Sequence, residues 1–243
     1  MSLFEARGLS KRFGGVQAVK EVSFTLEEGE LLGLIGPNGA GKTTVFHLLS
    51  GFLRTDSGDV RFRGRSIVGL KPHAICRLGL ARTFQIVRPF PHLSVLDNVK
   101  VGALARHRHV RDALAVARAV IDQVGLAGKA QARAGELTLA ERKRLEVARA
   151  LATDPALLLL DEVMAGLNPT ETGRFIELVR RVNAGGVTVL LIEHVMKAVM
   201  ALAGRVIVLN YGEKIAEGPP EAVVRDPRVI EAYLGEEYLR APA

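Results

Sequence analysis

The segment from Gly36 to Thr43 carries glycines, a lysine and a hydroxyl residue at the spacing of a phosphate-binding loop. It reads Gly-Pro-Asn-Gly-Ala-Gly-Lys-Thr, which fits the pattern GxxxxGK followed by Thr. The glycines allow backbone N–H groups to crowd around an anion, Lys42 reaches the outer phosphates, and the Thr43 hydroxyl can bind Mg²⁺. The pattern predicts a site for ATP or GTP, with an ordinary glycine turn as the alternative.

The segments on either side of this loop support the nucleotide site. Apolar residues from Leu31 to Ile35 predict a strand, and Thr44 to Ser50 predicts a helix. A helix N-terminus adds partial positive charge to a phosphate site. We therefore predict that the nucleotide contacts every residue of the loop, namely Gly36, Pro37, Asn38, Gly39, Ala40, Gly41, Lys42, Thr43 and Thr44.

Two acidic residues, Asp161 and Glu162, end a second predicted strand. The preceding residues, Leu157 to Leu160, are all leucine, which is typical of a buried strand. Open α/β sheets place their ligand sites at the carboxyl ends of such strands. In P-loop NTPases an Asp here helps to hold Mg²⁺, and a neighbouring carboxylate can polarise the attacking water. We predict that Asp161 binds the metal and Glu162 is the general base; a solvated acidic turn is the alternative.

A histidine, His194, follows the apolar run from Val187 to Ile192 and is expected at the same edge of the sheet. There it can donate a hydrogen bond to a γ-phosphate oxygen. A single histidine after a strand is more often a structural residue. The residue alone leaves both interpretations open.

The composition indicates a globular chain with acidic partners. A chain of 243 residues that is 48% hydrophobic can bury the core of one large domain, or of a core with an inserted subdomain. No apolar run approaches the roughly 18 residues of a membrane span and the start lacks a signal peptide, so we expect a cytosolic chain. One cysteine, Cys76, excludes an internal disulfide. The net charge of +7 favours nucleotide, nucleic acid or an anionic membrane face as partners.

Hydrophobic patterns divide the chain into β-rich and helical parts. Val22 to Leu26 and Val60 to Phe62 alternate apolar and polar side chains, so half-buried strands are predicted within the first 65 residues. The stretch from Ser94 to Ala152 is helical in pattern. Strand signals then alternate with a helix predicted from Pro169 to Val182, which indicates a parallel sheet. We predict a single α/β domain, a P-loop NTPase core with a mixed sheet, a β-rich N-terminal subdomain and an inserted helical subdomain. The core comprises residues 1–85 and 153–243, and the helical subdomain comprises residues 86–152.

The order of these motifs resembles the nucleotide-binding subunit of ATP-binding cassette (ABC) transporters over essentially the whole chain. The resemblance implies that Phe13 stacks on adenine, that Gln85 binds Mg²⁺ and relays to a membrane subunit, and that His194 is the switch histidine. A core position beside Gly14 and Gly15 is the alternative for Phe13. The motifs in chain order are the phosphate loop, Gln85, Leu137 to Glu141, Asp161 with Glu162, Ala165 to Asn168, and His194.

Within this family the sequence is most similar to the ATP-binding proteins of branched-chain amino-acid importers. That likeness implies an ATPase at the cytoplasmic face of the cell membrane, with a second ATPase subunit, transmembrane permease subunits and a substrate-binding protein as partners. Lipopolysaccharide-export ATPases are also similar, so the direction of transport depends on the subgroup. The resembling stretches are Thr83 to Phe90, Ala165 to Pro169, Ile192 to His194 and Glu231 to Gly235.

The family's signature motif, usually Leu-Ser-Gly-Gly-Gln, is altered here. Thr138 and Glu141 have capping-box spacing before a helix predicted from Arg142 to Leu151, so a helix N-terminus presents N–H groups outward. The resemblance implies that this end meets the γ-phosphate held by a partner subunit. Leu139 replaces a glycine that permits close backbone approach. The predicted contacts are Thr138, Leu139, Ala140 and Glu141.

Two other classes of protein share the phosphate loop. A soluble ABC ATPase acting on DNA or ribosomes is compatible with the charge of +7, but such proteins often carry two cassettes or long inserts. This chain has one cassette, and no nucleic-acid partner is expected. A P-loop GTPase switch is disfavoured because Gln85, Thr138 and His194 follow in the order of the ABC motifs.

Overall fold

A computed structural model describes residues 2–85 and 89–234. Two of the resembling stretches extend into residues 86–88 and 235, which lie outside the described residues. The strands are β1 (Phe4–Phe13), β2 (Val16–Leu26), β3 (Leu31–Ile35), β4 (Ser57–Phe62), β5 (Arg65–Ser66), β6 (Leu80–Arg82), β7 (Leu157–Asp161), β8 (Thr188–Ile192), β9 (Arg205–Asn210) and β10 (Glu213–Gly218). The helices are α1 (Lys42–Leu49), α2 (Pro72–Leu78), α3 (Val95–Ala103), α4 (Val110–Gln123), α5 (Leu139–Leu151), α6 (Pro169–Ala184), α7 (Met196–Leu202), α8 (Pro220–Val223) and α9 (Pro227–Leu234).

The chain forms two compact units. The first comprises Met1–Pro72 and Thr188–Ala243, and the second comprises His73–Val187. The predicted core and helical subdomain have different boundaries, and that division stays a prediction. None of the helices within residues 2–85 and 89–234 combines the length and apolar character needed to cross a membrane.

An antiparallel sheet with the strand order β2-β1-β4-β5 begins the first unit. Phe4 lies opposite Leu26 on β2 and opposite Phe62 on β4. The side chain of Phe4 is fully buried, and its ring centroid is 6.3 Å from that of Phe24. One face of the sheet therefore packs into a core, and the predicted β-rich N-terminal region is confirmed.

A parallel arrangement in the first unit places β3 between β8 and β9. Leu34 on β3 lies opposite Ile192 on β8, and Ile35 lies opposite Val208 on β9. Every residue of β3 and β8 is buried, as expected for strands covered on both faces. The strand β10 pairs antiparallel with β9, so the sheet is mixed. The carboxyl ends of β3 and β8 therefore lie at one edge.

The second unit combines a parallel strand pair with helices. β6 pairs with β7, with Leu80 opposite Leu157. Among the helices, α3 approaches α5 closely at Gly102, because a Cβ there would lie 2.4 Å from the Arg149 carbonyl oxygen. Buried Asn98 on α3 donates from Nδ2 to the Phe90 carbonyl oxygen at 3.0 Å. The first contact requires glycine where α3 meets α5, and the second ties α3 to the loop that precedes it.

The helix α6 confirms the prediction for Pro169 to Val182 and extends it to Ala184. Asn168 caps its N-terminus by accepting a hydrogen bond from the Glu171 N–H, and the Glu171 side chain accepts from the Asn168 N–H. Pro169 occupies the first turn, where its missing N–H costs nothing. The predicted apolar stripe is buried and comprises Phe175, Ile176, Val179 and Val182.

Candidate functional site

The phosphate loop requires glycine at its first and last turns. Gly36 has φ 152° and Gly41 has φ 98°, in the region that favours glycine. A Cβ on Gly36 would lie 2.2 Å from the Leu209 carbonyl oxygen, and one on Gly41 would lie 2.3 Å from the Ala18 carbonyl oxygen. Both distances are far inside van der Waals contact, so the loop's path between β3 and α1 depends on these two residues.

The Lys42 side chain lies folded against the loop. It is 8% exposed, and its Nζ donates to the carbonyl oxygens of Gly36 at 2.7 Å and Pro37 at 2.9 Å. An ammonium group carries several donors on a flexible stem, so it can bind a phosphate oxygen from the same position. The structure therefore places the Lys42 ammonium group against the backbone of the predicted phosphate loop.

The N-terminus of α1 offers hydrogen-bond donors to an anion. Its N-cap residue, Gly41, has no capping side chain, and its first turn has no acidic residue. In the described part of the chain, the N–H groups of Gly39, Gly41, Thr43 and Thr44 have no acceptor. Such unpaired donors combine with the positive end of the helix dipole to form an anion site. The local structure is thus suited to binding phosphate.

Phe13 lies at the end of β1, at the tip of the hairpin that leads into β2. It is 46% exposed and lies opposite Val16, and the Lys11 Nζ is 5.7 Å from its ring centroid. The alternative of a core position for Phe13 is therefore wrong, because a core ring would be buried. Its exposed face suits stacking on a base, and the contact with adenine stays a prediction.

His194 lies two residues beyond the end of β8. The side chain is exposed, whereas that of the preceding Glu193 is buried. Ile192 on β8 pairs with Leu34 on β3. His194 lies two residues after Ile192, and Gly36 lies two residues after Leu34. This confirms that the histidine and the start of the phosphate loop lie at the same edge of the sheet. Its predicted hydrogen bond to phosphate is untested.

In the second unit, Asp161 forms a buried ion pair. Its side chain is 2% exposed, and Oδ2 accepts a hydrogen bond from the Arg82 Nη2 at 2.8 Å. The Asp161 N–H donates to the Thr83 Oγ1 at 3.1 Å. Burial lowers the pKa of Arg82, and the hydrogen bond and charge of Asp161 oppose that shift. The arginine therefore compensates the charge of a carboxylate held at the end of β7.

Glu162 is held in an uncommon backbone conformation beside Gln85. Its φ is 47°, which is costly for a residue other than glycine. The Gln85 Nε2 donates to the Glu162 Oε2 at 2.8 Å, and the Lys143 Nζ donates to the Glu162 carbonyl oxygen at 3.0 Å. The structure thus brings together two predicted site residues and fixes the direction of the Glu162 side chain.

The altered signature motif forms the predicted capping box. The Glu141 N–H donates to the Thr138 Oγ1 at 3.3 Å, and the Thr138 N–H donates to the Glu141 Oε2 at 3.0 Å. The helix begins at Leu139. The predicted start at Arg142 is therefore wrong, because the capping box places the first helical residue directly after Thr138. Among the described residues, the N–H groups of Leu139 and Ala140 find no acceptor. Two donors of this helix end therefore remain for an anion.

Leu139 contacts the loop that follows Glu162. Leu139 is 42% exposed, and a Cβ on Gly166 would lie 3.3 Å from its Cδ2. Gly166 has φ 75°, in the region that favours glycine. The leucine that replaces the signature glycine therefore packs against its own chain.

Two contributors to this region, Arg82 and Lys143, were not predicted from the sequence. The Lys143 side chain is buried on the apolar stripe of α5 that includes Val147 and Ala150. A lysine at i on a stripe with apolar residues at i+4 and i+7 requires a buried acceptor, and that spacing is visible in the sequence. Arg82 directly follows the buried Leu80 and Ala81, and a charged residue at the end of a buried apolar segment also indicates a buried partner.

Comparison with known proteins identifies the family. The profile of the ABC transporter family matches residues 19–165, and that of the branched-chain amino acid ATP-binding cassette transporter matches residues 213–238. The chain is 42% identical to the high-affinity branched-chain amino acid transport ATP-binding protein BraF of Pseudomonas aeruginosa, over 96% of this chain and 98% of the relative. It is 40% identical to the corresponding protein LivG of Escherichia coli, with the same coverage.

Solved structures agree with this relationship. A nucleotide-free ATP-binding cassette from an ABC transporter superposes with a TM-score of 0.89 at 30% identity, covering 97% of this chain and all of that chain. An ATP-binding cassette in its ADP conformation gives a TM-score of 0.87 at 30% identity, with the same coverage. The predicted fold class is confirmed, and the chain belongs to the ATP-binding proteins of the ABC transporter family.

Proposed function

We propose that this chain is the ATP-hydrolysing subunit of an importer for branched-chain or related amino acids. The phosphate loop carries the proposal of ATP binding, because Lys42 and an uncapped helix end offer donors to one anion. The substrate class follows from the names of relatives that are similar over 96% of this chain.

Nucleotide binding is assigned to the first unit. The loop from Gly36 to Thr44 holds the phosphates through backbone N–H groups, and Lys42 binds the outer phosphates. Exposed Phe13 stacks on adenine. Base stacking adds affinity, whereas the loop supplies most of the selectivity for a triphosphate.

The proposed metal is Mg²⁺, held by Thr43, Gln85 and Asp161. All three offer oxygen atoms, the donors that Mg²⁺ prefers, and the Thr43 hydroxyl is exposed at the start of α1. When bound, the ion neutralises charge on the phosphates of the nucleotide. The ion pair with Arg82 fixes the orientation of the Asp161 carboxylate.

Glu162 is the proposed general base that orients the attacking water. Phosphoryl transfer is catalysed mainly by positioning and electrostatics, so the base needs a fixed direction more than an unusual pKa. The Gln85 hydrogen bond to Oε2 and the φ of 47° supply that direction. His194 donates a hydrogen bond to the γ-phosphate.

The working unit is a dimer of two ATPase subunits, identical or related. In it the signature helix of one subunit, with Thr138, Leu139, Ala140 and Glu141, contacts the nucleotide of the other. The Leu139 and Ala140 N–H groups are the donors available for that contact. Transmembrane permease subunits dock near Gln85 to Val101, a substrate-binding protein delivers the amino acid, and the chain lies at the cytoplasmic face of the membrane.

Co-purification from membranes tests this function. The tagged chain is expected to bring down two classes of transmembrane subunit, and addition of leucine with its binding protein is expected to raise the ATPase rate. Stimulation of the ATPase rate by DNA, decreasing steeply as the salt concentration rises, would instead favour a nucleic-acid ATPase. Capture of lipopolysaccharide-export subunits would contradict the import assignment.

A further inference from the structure

A cationic pocket in the second unit lies outside all residues assigned to ATP. Its volume is about 550 Å³, and it is lined by the end of α4, the middle of α5 and the part of α6 from Pro169 to Arg181. This volume is within the range of small-molecule sites. The charged side chains that line it are Arg144, Arg174, Arg181 and Glu177.

The three arginines of this pocket have no carboxylate partner in the part of the chain that the structure describes. Arg174 and Arg181 are exposed, and Arg144 is half-buried. Glu177 forms an ion pair with Arg180, which is not among the lining residues. Glu177 is therefore paired with an arginine that does not line the pocket, and the pocket carries an excess of positive charge.

The backbone turn at the end of α4 satisfies two of the terminal carbonyls of that helix. The Leu126 N–H donates to the Ile121 carbonyl oxygen and the Gly125 N–H donates to the Asp122 carbonyl oxygen, both at 2.9 Å. These two bonds satisfy carbonyls that otherwise attract cations at a helix C-terminus. A Cβ on Gly125 would lie 3.5 Å from the Arg144 Nη1, so the guanidinium group lies against this turn.

The spacing of the arginines favours an extended anion. Arg174 and Arg181 are seven residues apart on α6, which places them on one face about 10 Å apart along the axis. Thr170 lines the pocket in the first turn of this 16-residue helix, where the positive end of the dipole adds to the field. Two guanidinium groups at this separation suit a ligand with more than one anionic group.

We propose that this pocket binds a soluble anion that carries two or more phosphate groups. Arginine forms bidentate hydrogen bonds with phosphate, and three arginines line one concave surface. The lining includes no aromatic side chain on which a base could stack. The pocket therefore recognises phosphates rather than a nucleobase, and it differs in this respect from the site that includes Phe13.

The test is calorimetric titration with inorganic tripolyphosphate. The background is the Lys42→Ala chain, which removes the main phosphate ligand of the loop, with ATP-saturated wild type as a second background. We expect saturable binding that weakens at least about tenfold in Arg174→Gln/Arg181→Gln. The matched control, Arg111→Gln/Arg118→Gln, removes the same charge from exposed positions on α4 that do not line the pocket. It is expected to change the affinity less than about twofold.

Three results would overturn the proposal. The first is absence of tripolyphosphate binding in both backgrounds, and the second is equal weakening in the pocket and control variants. The third is arginine-dependent binding to vesicles of anionic phospholipid without binding of tripolyphosphate, which assigns the surface to a lipid headgroup. Thermal unfolding of each variant, monitored by circular dichroism, establishes that the chain is folded in every comparison.

Discussion

Lys42 connects the sequence of the phosphate loop to its chemistry. Its Nζ donates to the carbonyl oxygens of Gly36 and Pro37, so its position is set by the loop before any phosphate contact is considered. We expect Lys42→Ala to weaken ATP binding by on the order of tenfold to a hundredfold, because hydrogen bonds to a charged group contribute about 1.5–3 kcal/mol. Fluorescent-nucleotide titration measures this effect, with Lys197→Ala as the exposed-lysine control. Equal affinities of the two variants would remove Lys42 from the site.

Glu162 supports a second prediction, on turnover. Glu162→Gln retains the side-chain shape and the contact with Gln85, but it cannot accept a proton from water. We expect ATP affinity to stay within about threefold and steady-state phosphate release to fall by about a hundredfold or more. The control is Glu221→Gln, an exposed position on α8. A normal rate in the Glu162 variant would exclude this residue as the base.

We expect the free energy of unfolding to depend on pH through the buried carboxyl group of Glu146. Burial raises its pKa above the ordinary value of 4.5, while Arg149 and the Phe84 N–H act in the opposite direction. The folded state therefore holds this proton more tightly than the unfolded state. This contribution to stability is complete below pH 4.5 and is lost as the pH rises through the folded-state pKa.

We expect Glu146→Gln to remove this loss of stability at high pH, because the glutamine amide does not ionise. Urea unfolding at pH 4 and pH 8 measures the effect as the difference between variant and wild type. The variant should gain stability relative to wild type as the pH rises. A constant difference between the two proteins at both pH values would contradict a raised pKa for Glu146.

The residues of the site differ in how far the sequence predicts them. The loop from Gly36 to Thr43 is a local motif, so its spacing alone identifies the anion site. The ion pair of Arg82 with Asp161 joins residues 79 positions apart, and the Gln85 contact with Glu162 joins residues 77 apart. Neither pair is encoded in local spacing, because each depends on how strands and loops meet in three dimensions.

The signature helix α5 depends on its capping box. Thr138 accepts from the Glu141 N–H and Glu141 accepts from the Thr138 N–H. We expect Thr138→Ala to lower the free energy of unfolding by about 1 kcal/mol, and Thr138→Ser to retain most of it because the hydroxyl remains. Urea denaturation provides the measurement. Identical stability of the alanine variant and wild type would show that the box contributes nothing to folding.

Elements with a clear hydrophobic period were predicted correctly, and irregular ones were not. The runs at β3, β7 and β8 are continuous and apolar, as buried parallel strands require. The strand β1 was not predicted as a separate element, because its pairing with β2 shifts register between Ala6 and Arg12 and the alternation is lost. The three-residue strand β6 is too short to show a period.

The two units of the molecule carry different parts of the proposed chemistry. The first contains the phosphate loop, Phe13 and His194, and the second contains Gln85, Asp161 and Glu162. Family membership, shown by relatives 40–42% identical over nearly the full length, supports the proposal that both sets serve one ATPase. The sequence predicted this family from the order of its motifs, whereas the identity of the permease and the composition of the dimer are properties of the assembly.

ATP-driven uptake of radiolabelled leucine into proteoliposomes measures directly whether this chain powers amino-acid import. The vesicles contain this chain with the permease subunits that co-purify with it, and the substrate-binding protein is supplied outside. We expect uptake that requires ATP on the side of this chain and that is abolished by Glu162→Gln. Leucine uptake that proceeds at the wild-type rate with the Glu162→Gln chain, or without ATP, would contradict this expectation.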